Sequence, residues 1–358
     1  MMQRDVLLRL NYTIKLLTMN NTDKSFLDLN KKEISKIIDK FKEPSYRKDQ
    51  LEEWIYKKFV QNWNDMNNLP LELISSLKSS FKLHPLTEID SSGVSSDPAQ
   101  KFLFQTNKNN MIESVLMYQK NRITICVSSQ SGCAVDCKFC ATASMGFKEN
   151  LSAGEIVDQF LQLSSRSKSR VTNVVFMGMG EPFLNYKNVS KAAEIMNKKI
   201  NIGSRKITIS TAGIVSKIYK MADDGLPYKL AISLNAPNDE IRKKIMPLTV
   251  NNPITELIKS AEYYYSKSKR FVTFEYVLLD SINDTAECAY ELIDLLKNIP
   301  CKLNLIPYNE IGGRYSRPSS KKIDIFINTL KNAPFTVTVR WSKGTKIDAG
   351  CGQLAVKN

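Results

Sequence analysis

The chain predicts an α/β fold preceded by a small helical domain, and three observations carry that prediction. Apolar residues recur at helical spacing through the first hundred positions. Short β-branched runs alternate with helix-sized spacers beyond them. The composition, 42% hydrophobic and 24% charged over 358 residues, is that of a globular chain.

Residues 1–22 read as a flexible N-terminal extension. Arg4, Arg9 and Lys15 interrupt the apolar core that a secretory signal would need, and no small-residue cleavage site follows. Residues 23–100 read as a helical accessory domain. Ile34, Ile37, Ile38 and Phe41 share one face of a helix over 32–41, Leu51, Trp54, Ile55 and Phe59 repeat the pattern, and Leu73, Ile74, Leu77 and Phe81 form a third helix after Pro70. The stretch SSGVSSDP at 91–98 has the composition of a linker. Residues 101–358 then hold the strand candidates ITICVSS, NVVFMGMG, KITIST, KLAISLN, FVTFEYVLLD, KLNLIPYN and FTVTVRW. Strands separated by helix-sized spacers pair in parallel, either closed or partly closed into a barrel or laid out as an open sheet. The helix after the cysteine cluster begins with a capping box, Ser152 to Glu155.

Charge and composition narrow the chemistry. Lys and Arg number 51 against 36 for Asp and Glu, a net +15 that permits a polyanionic partner, although Lys and Asn are abundant everywhere and the charge alone does not diagnose one. No run approaches the ~18 apolar residues of a membrane-spanning helix, which predicts a soluble protein. Seven cysteines, an odd number, do not make the dense framework of a secreted scaffold and suit ligands or catalytic thiols in a reducing cytoplasm. The single histidine, His84, excludes a multi-histidine zinc or iron site within one chain. Proton transfers therefore fall to carboxylates, thiols or lysines.

Cys133, Cys137 and Cys140 bring three thiols into one loop directly after a predicted strand. A structural zinc site would close its tetrahedron with a fourth Cys or a His nearby, and none is suitably spaced. Thiolates hold iron–sulfur clusters, and three of them on a four-iron cluster leave one iron open to a substrate.

With that C-x-x-x-C-x-x-C loop, the words CVSSQSGCAVDCKFC, FMGMGEPFLN, ISLNAPNDEIR, NLIPYN and IDAGCGQL make the chain resemble the RlmN/Cfr family of radical S-adenosylmethionine RNA adenine methyltransferases, from about Leu27 to the C-terminus. The resemblance implies a partial (βα) barrel of the radical S-adenosylmethionine type with its ligands at the carboxyl ends of the strands. It implies a 4Fe-4S cluster on Cys133, Cys137 and Cys140, and S-adenosylmethionine held by Gly180, Glu181, Ser210, Ser233, Leu234, Asn235 and Asn309. It further implies that Cys351 accepts a methyl group from one of two cofactor molecules used per turnover. A 5′-deoxyadenosyl radical from the second then activates that S-methyl for addition to C2 of an adenine. Cys126 promotes loss of the C2 proton and pairs with Cys351 in a disulfide, and Glu113 matches a proton acceptor. Such thiols should be accessible and have a lowered pKa. Cys288 and Cys301 read as small buried hydrophobes.

The implied substrates are 23S rRNA and tRNA, gripped through phosphates by the helical domain, with Arg340 and Lys343 as further phosphate contacts. The implied electron donor is a flavodoxin or ferredoxin, and the protein should be a cytoplasmic monomer without membrane contact. Two positions depart from the family pattern. Asn235 stands where a histidine is usual, and Gly350 stands where alanine is usual, which should loosen the loop before Cys351. Two rival readings are a Cfr-type enzyme that methylates adenine C8, and a non-catalytic RNA-binding protein stapled by zinc.

Overall fold

A computed structural model describes residues 24–94 and 96–356, so the extension expected at 1–22 lies outside the described residues. Three helices come first: α1 (Lys31–Lys40), α2 (Tyr46–Tyr56) and α3 (Leu71–Ser80). Asn30 and Glu33 close a capping box on α1. The predicted second helix stops before Phe59, whose φ of 52° takes the chain out of helix.

Ten strands form one sheet. In chain order they are β1 (Thr87–Ser92), β2 (Ala99–Gln105), β3 (Met111–Gln119), β4 (Arg122–Cys126), then, past the two-stranded ladder β5 (Gln130–Ser131) and β6 (Glu149–Asn150), β7 (Asn173–Phe176), β8 (Ile207–Thr211), β9 (Lys229–Ser233), β10 (Val272–Leu278), β11 (Cys301–Pro307) and β12 (Thr336–Val339). The spatial order is β1-β2-β3-β4-β7-β8-β9-β10-β11-β12. From β4 onward every pair is parallel, with helical crossovers, as the alternation of apolar runs predicts. No pairing joins β12 to β1 among the described residues, so the barrel is partial.

β1, β2 and β3 are antiparallel and correct the linker expected at 91–98. Ser91 and Ser92 end β1, paired with Phe102 and Lys101, and the following residues turn the chain back into β2. The domain boundary set at residue 100 thus falls inside a strand. One apolar core runs from Phe26 through the barrel to Leu330, and polar contacts tie the helical region to it. Asp28 Oδ1 accepts from Gly154 N (2.7 Å), and Lys191 Nζ donates to the Asp28 carbonyl (2.7 Å).

Between strands lie α4 (Ala141–Ser144), α5 (Ala153–Arg166), α6 (Tyr186–Lys198), α7 (Val215–Asp223), α8 (Asp239–Ile245), α9 (Ile254–Ser268), α10 (Ala286–Leu296) and α11 (Ser320–Thr329). The capping box at α5 forms as expected: Glu155 N donates to Ser152 Oγ (3.1 Å) and Ser152 N to Glu155 Oε2 (2.8 Å). Among the described residues no helix is long and apolar enough to cross a membrane.

Candidate active site

The carboxyl ends of the parallel strands surround a cavity enclosing about 1030 Å³, mouth included, large enough for a small-molecule ligand. Cys133, Cys137 and Cys140 line it. Their loop is seated by Val135 and Phe139, which bury against Ala236, Ile245, Met246 and Leu279 and leave the intervening thiols on the cavity side. The bond from Lys138 N to the Ile245 carbonyl (2.9 Å) fixes the loop to α8, and Cys133 N donates to the Gly146 carbonyl (3.2 Å).

Burial pushes the Cys133 thiol up to about 12, against a lowering backbone bond at Val135, and pushes Cys137 well above its ordinary value, with the neighbouring thiols adding to the rise. Among the described residues, no three His, Cys, Asp or Glu side chains converge tightly enough to hold a single metal ion. Three thiols on one loop facing a cavity fit a cuboidal cluster, whose metal atoms each take their own ligand.

The GMGEP turn packs directly on the strand-like segment after β4. Gly180 has φ +94°, and a Cβ there would lie 2.5 Å from Gln130 Cβ. Glu181, buried on the cavity wall, is oriented by two amides: Phe183 N donates to Oε1 (2.9 Å) and Ala212 N to Oε2 (2.6 Å). Burial raises this carboxyl to about 7 despite those bonds. Ser210, Ser233 and Asn235 line the same cavity, whereas Leu234 is fully buried behind it and offers its carbonyl to Arg242.

Cys351 reaches this cavity from the far end of the chain. Its side chain is exposed to the open space of the cavity, yet the surrounding protein raises its thiol pKa. The loop around it is tied down on both sides. Ala141 N donates to the Gly352 carbonyl (2.8 Å), Thr142 Oγ1 to the Leu354 carbonyl (2.6 Å), and Asn309 Nδ2 to the Cys351 carbonyl (3.0 Å). The looseness expected from Gly350 is absent: its N–H donates to Gln353 Oε1 (3.0 Å), and a Cβ would come within 2.9 Å of Asn309 Nδ2.

Two family models match the chain: the radical SAM superfamily over residues 127–296 and the ribosomal RNA large subunit methyltransferase N-terminal domain over 24–83. A protein of Dictyoglomus thermophilum named a probable dual-specificity RNA methyltransferase RlmN is 46% identical over 331 residues, covering 90% of this chain and 94% of the relative. A relative of the same name from Clostridium botulinum is 44% identical over 335 residues, covering 92% and 96%. The chain belongs to the RlmN family of radical SAM RNA methyltransferases. The crystal structure of a radical SAM methyltransferase from Sphaerobacter thermophilus superposes with a TM-score of 0.90 at 39% identity, covering 93% of this chain and all of that one. S-adenosylmethionine and an iron–sulfur cluster are the cofactors of this superfamily, and the cysteine loop described above fits them.

Several residues in this RlmN-family site are not where the motifs alone put them. Cys126 ends β4 in the barrel wall and does not line the cavity. Burial, and then the neighbouring Cys351, push its thiol up to about 12, while Arg340 pulls it down. The lowered pKa expected of Cys126 and Cys351 is therefore absent, because burial outweighs the one nearby cation. Both cysteines are free, and no disulfide joins them.

Glu113 is buried in β3, off the cavity wall, with Lys101 Nζ 2.8 Å from Oε1. Burial raises its carboxyl and Lys101 lowers it, leaving it above its ordinary value. Since Val115 pairs with Cys126, Glu113 shares a face of the sheet with Cys126, one diagonal step away. Asn309 lies off the cavity and holds the Cys351 loop, while Asn235 adopts φ +59° and accepts from Val277 N (2.9 Å), fixing the end of β10.

Arg340, expected at a phosphate, instead places its charge among Cys126, Cys351 and Glu275. Lys343 Nζ donates to the Tyr118 carbonyl (2.9 Å).

Two site residues were not anticipated. Arg242, 0% exposed, donates to the carbonyls of Leu234, Ala212, Ser233 and Asn252 and to Thr249 Oγ1, with no carboxylate among these partners. Burial lowers its pKa to about 10, and its charge is felt at Cys137. Glu275 lines the cavity from β10, where an acid among apolar residues in VTFEYVL was the available signal.

Proposed function

We propose that this RNA methyltransferase methylates C2 of an adenosine in 23S rRNA and in tRNA, with Cys351 as the methyl carrier. The observation that carries the reading is the presence of Cys351 in the same cavity as Cys133, Cys137 and Cys140, under a loop anchored at both ends. When bound, the cluster and S-adenosylmethionine supply the methyl group and the one-electron chemistry that an electron-poor aromatic carbon requires.

Cys133, Cys137 and Cys140 hold the cluster, and two cofactor molecules serve each turnover. Glu181, Gly180, Ser210, Ser233 and Asn235 contact S-adenosylmethionine, Glu181 through its carboxylate and the others as neutral walls. Leu234 and Asn309 support them from behind. Cys351 gives up its thiol proton, carries the methyl as a thioether and presents it to the adenine. Cys126 promotes loss of the C2 proton, and Glu113, on the same sheet face, is the proton acceptor. Action as a monomer in the cytoplasm and reduction by a flavodoxin or ferredoxin complete the reading. The RlmN name shared by the relatives favours C2 over C8.

Nucleoside mass spectrometry of unmodified ribosomal RNA after reaction tests the reading. The expected product is 2-methyladenosine. Formation of 8-methyladenosine, which separates chromatographically, or of no methyladenosine by cluster-loaded protein, would overturn it.

A further inference from the structure

We infer that Trp341 is a stacking platform for an unpaired base of the RNA substrate, beside the adenine delivered to the cavity. The inference rests on the RNA reading above and deepens it. Trp341 is 58% exposed, although the residues on both sides of it are fixed to the site. On one side, Arg340 N donates to the Leu305 carbonyl (2.8 Å), and the Arg340 guanidinium lies 3.6 Å from Met177 Sδ, a residue of the cavity wall. On the other, Ser342 Oγ accepts from Asn309 Nδ2 (2.7 Å), the same amide that holds the Cys351 carbonyl. Lys343 then anchors the segment to the Tyr118 carbonyl. The indole is thus held in water by a backbone that cannot easily withdraw it, one hydrogen-bonded residue away from the methyl-carrying loop.

A single exposed apolar side chain needs no explanation in itself. Its placement does. An enzyme that acts on a ring carbon must splay the target base out of its stack, and the neighbouring base then loses a partner. An aromatic face beside the site replaces that partner for any base sequence. A protein partner would be met by a broader apolar surface than one indole between two basic residues offers.

The test uses cluster-loaded wild type, Trp341→Ala and Trp341→Phe, with unmodified 23S rRNA in steady-state methylation and a stem-loop RNA bearing an unpaired adenosine in binding. Loss of a base–aromatic stack costs about 1–3 kcal/mol, so the KM for RNA and the stem-loop Kd should rise roughly 5- to 150-fold in Trp341→Ala, with kcat retained and most of the loss restored by Phe. The chain has three tryptophans, and Trp63 is buried while Trp54 Nε1 donates to Asn68. Stem-loop binding should therefore quench fluorescence in wild type and leave Trp341→Phe unquenched.

Unchanged KM and Kd in Trp341→Ala would overturn the proposal while leaving the RNA reading intact. So would normal RNA binding with slowed cluster reduction by a donor protein, which would assign the indole to that partner. Wild type that neither binds nor methylates RNA would sink the RNA reading and the platform with it.

Discussion

Burial raises the thiols of Cys126 and Cys351, and the Arg340 charge near both opposes the shift. Cys351 faces the cavity while Cys126 is buried in the barrel wall, and their separate roles can be told apart by substitution. Cys126→Ala is expected to accumulate protein covalently joined to RNA, seen as a nuclease-sensitive shift on a denaturing gel, whereas Cys351→Ala should give neither adduct nor product. Gly180→Ala tests the turn that positions Glu181. The new Cβ meets Gln130 at 2.5 Å with φ at +94°, so urea unfolding should show a loss of about 1–3 kcal/mol. The three cluster cysteines were legible because ligand spacing is a property of the chain itself. Glu113 was not: a glutamate in MIESVLM reads as a solvated strand residue, and its burial relies on Lys101 from the neighbouring strand and the backbone at Ala355. Asn309 and Asn235 were legible as site residues but not as supports, since their partners come from distant segments.

Among the elements, the parallel strands were readable from alternating apolar runs and helix-sized spacers. β1 escaped because TEIDSS is exposed along most of its length and carries no apolar alternation. Arg242 sits in a quoted motif, but its burial depends on four carbonyls that only the folded chain collects.

The contact between the helical region and α5 has a titratable clasp: His84 Nδ1 lies 2.5 Å from Asp158 Oδ1, and its Nε2 lies 3.0 Å from the Val60 carbonyl. Asp158 Oδ2 also accepts from Leu86 N and Gln162 Nε2, both at 3.0 Å. Burial pushes the imidazole pKa down, but Asp158 and the Val60 carbonyl more than offset it, leaving it above its ordinary value. A group raised on folding stabilises fully below its unfolded pKa of about 6.5, and that contribution fades as pH rises through the folded value. Tm should accordingly fall as pH rises above about 6.5 in wild type, and the fall should be smaller in His84→Gln. Equal slopes in the two proteins would remove the clasp from the account.

At the scale of the whole molecule, a continuous apolar core joins the helical region to the barrel, and a net charge of +15 surrounds it. RNA affinity should drop steeply with salt, each phosphate contact contributing about −0.7 to −0.9 to the slope of log K against log salt, and a flat dependence would exclude backbone gripping. The barrel brings residues 133, 137, 140 and 351 to one cavity although more than two hundred residues separate the last of them from the rest, and that convergence is the basis for assigning the methyl route. The most direct test follows the methyl group itself. Cluster-loaded protein is incubated with S-adenosylmethionine bearing a deuterated methyl, and the peptide containing Cys351 is weighed before and after RNA is added. Label should appear on Cys351 first and then at C2 of adenosine, with neither in Cys351→Ala. Labelled RNA formed by Cys351→Ala, or formed while Cys351 stays unlabelled, would contradict the account.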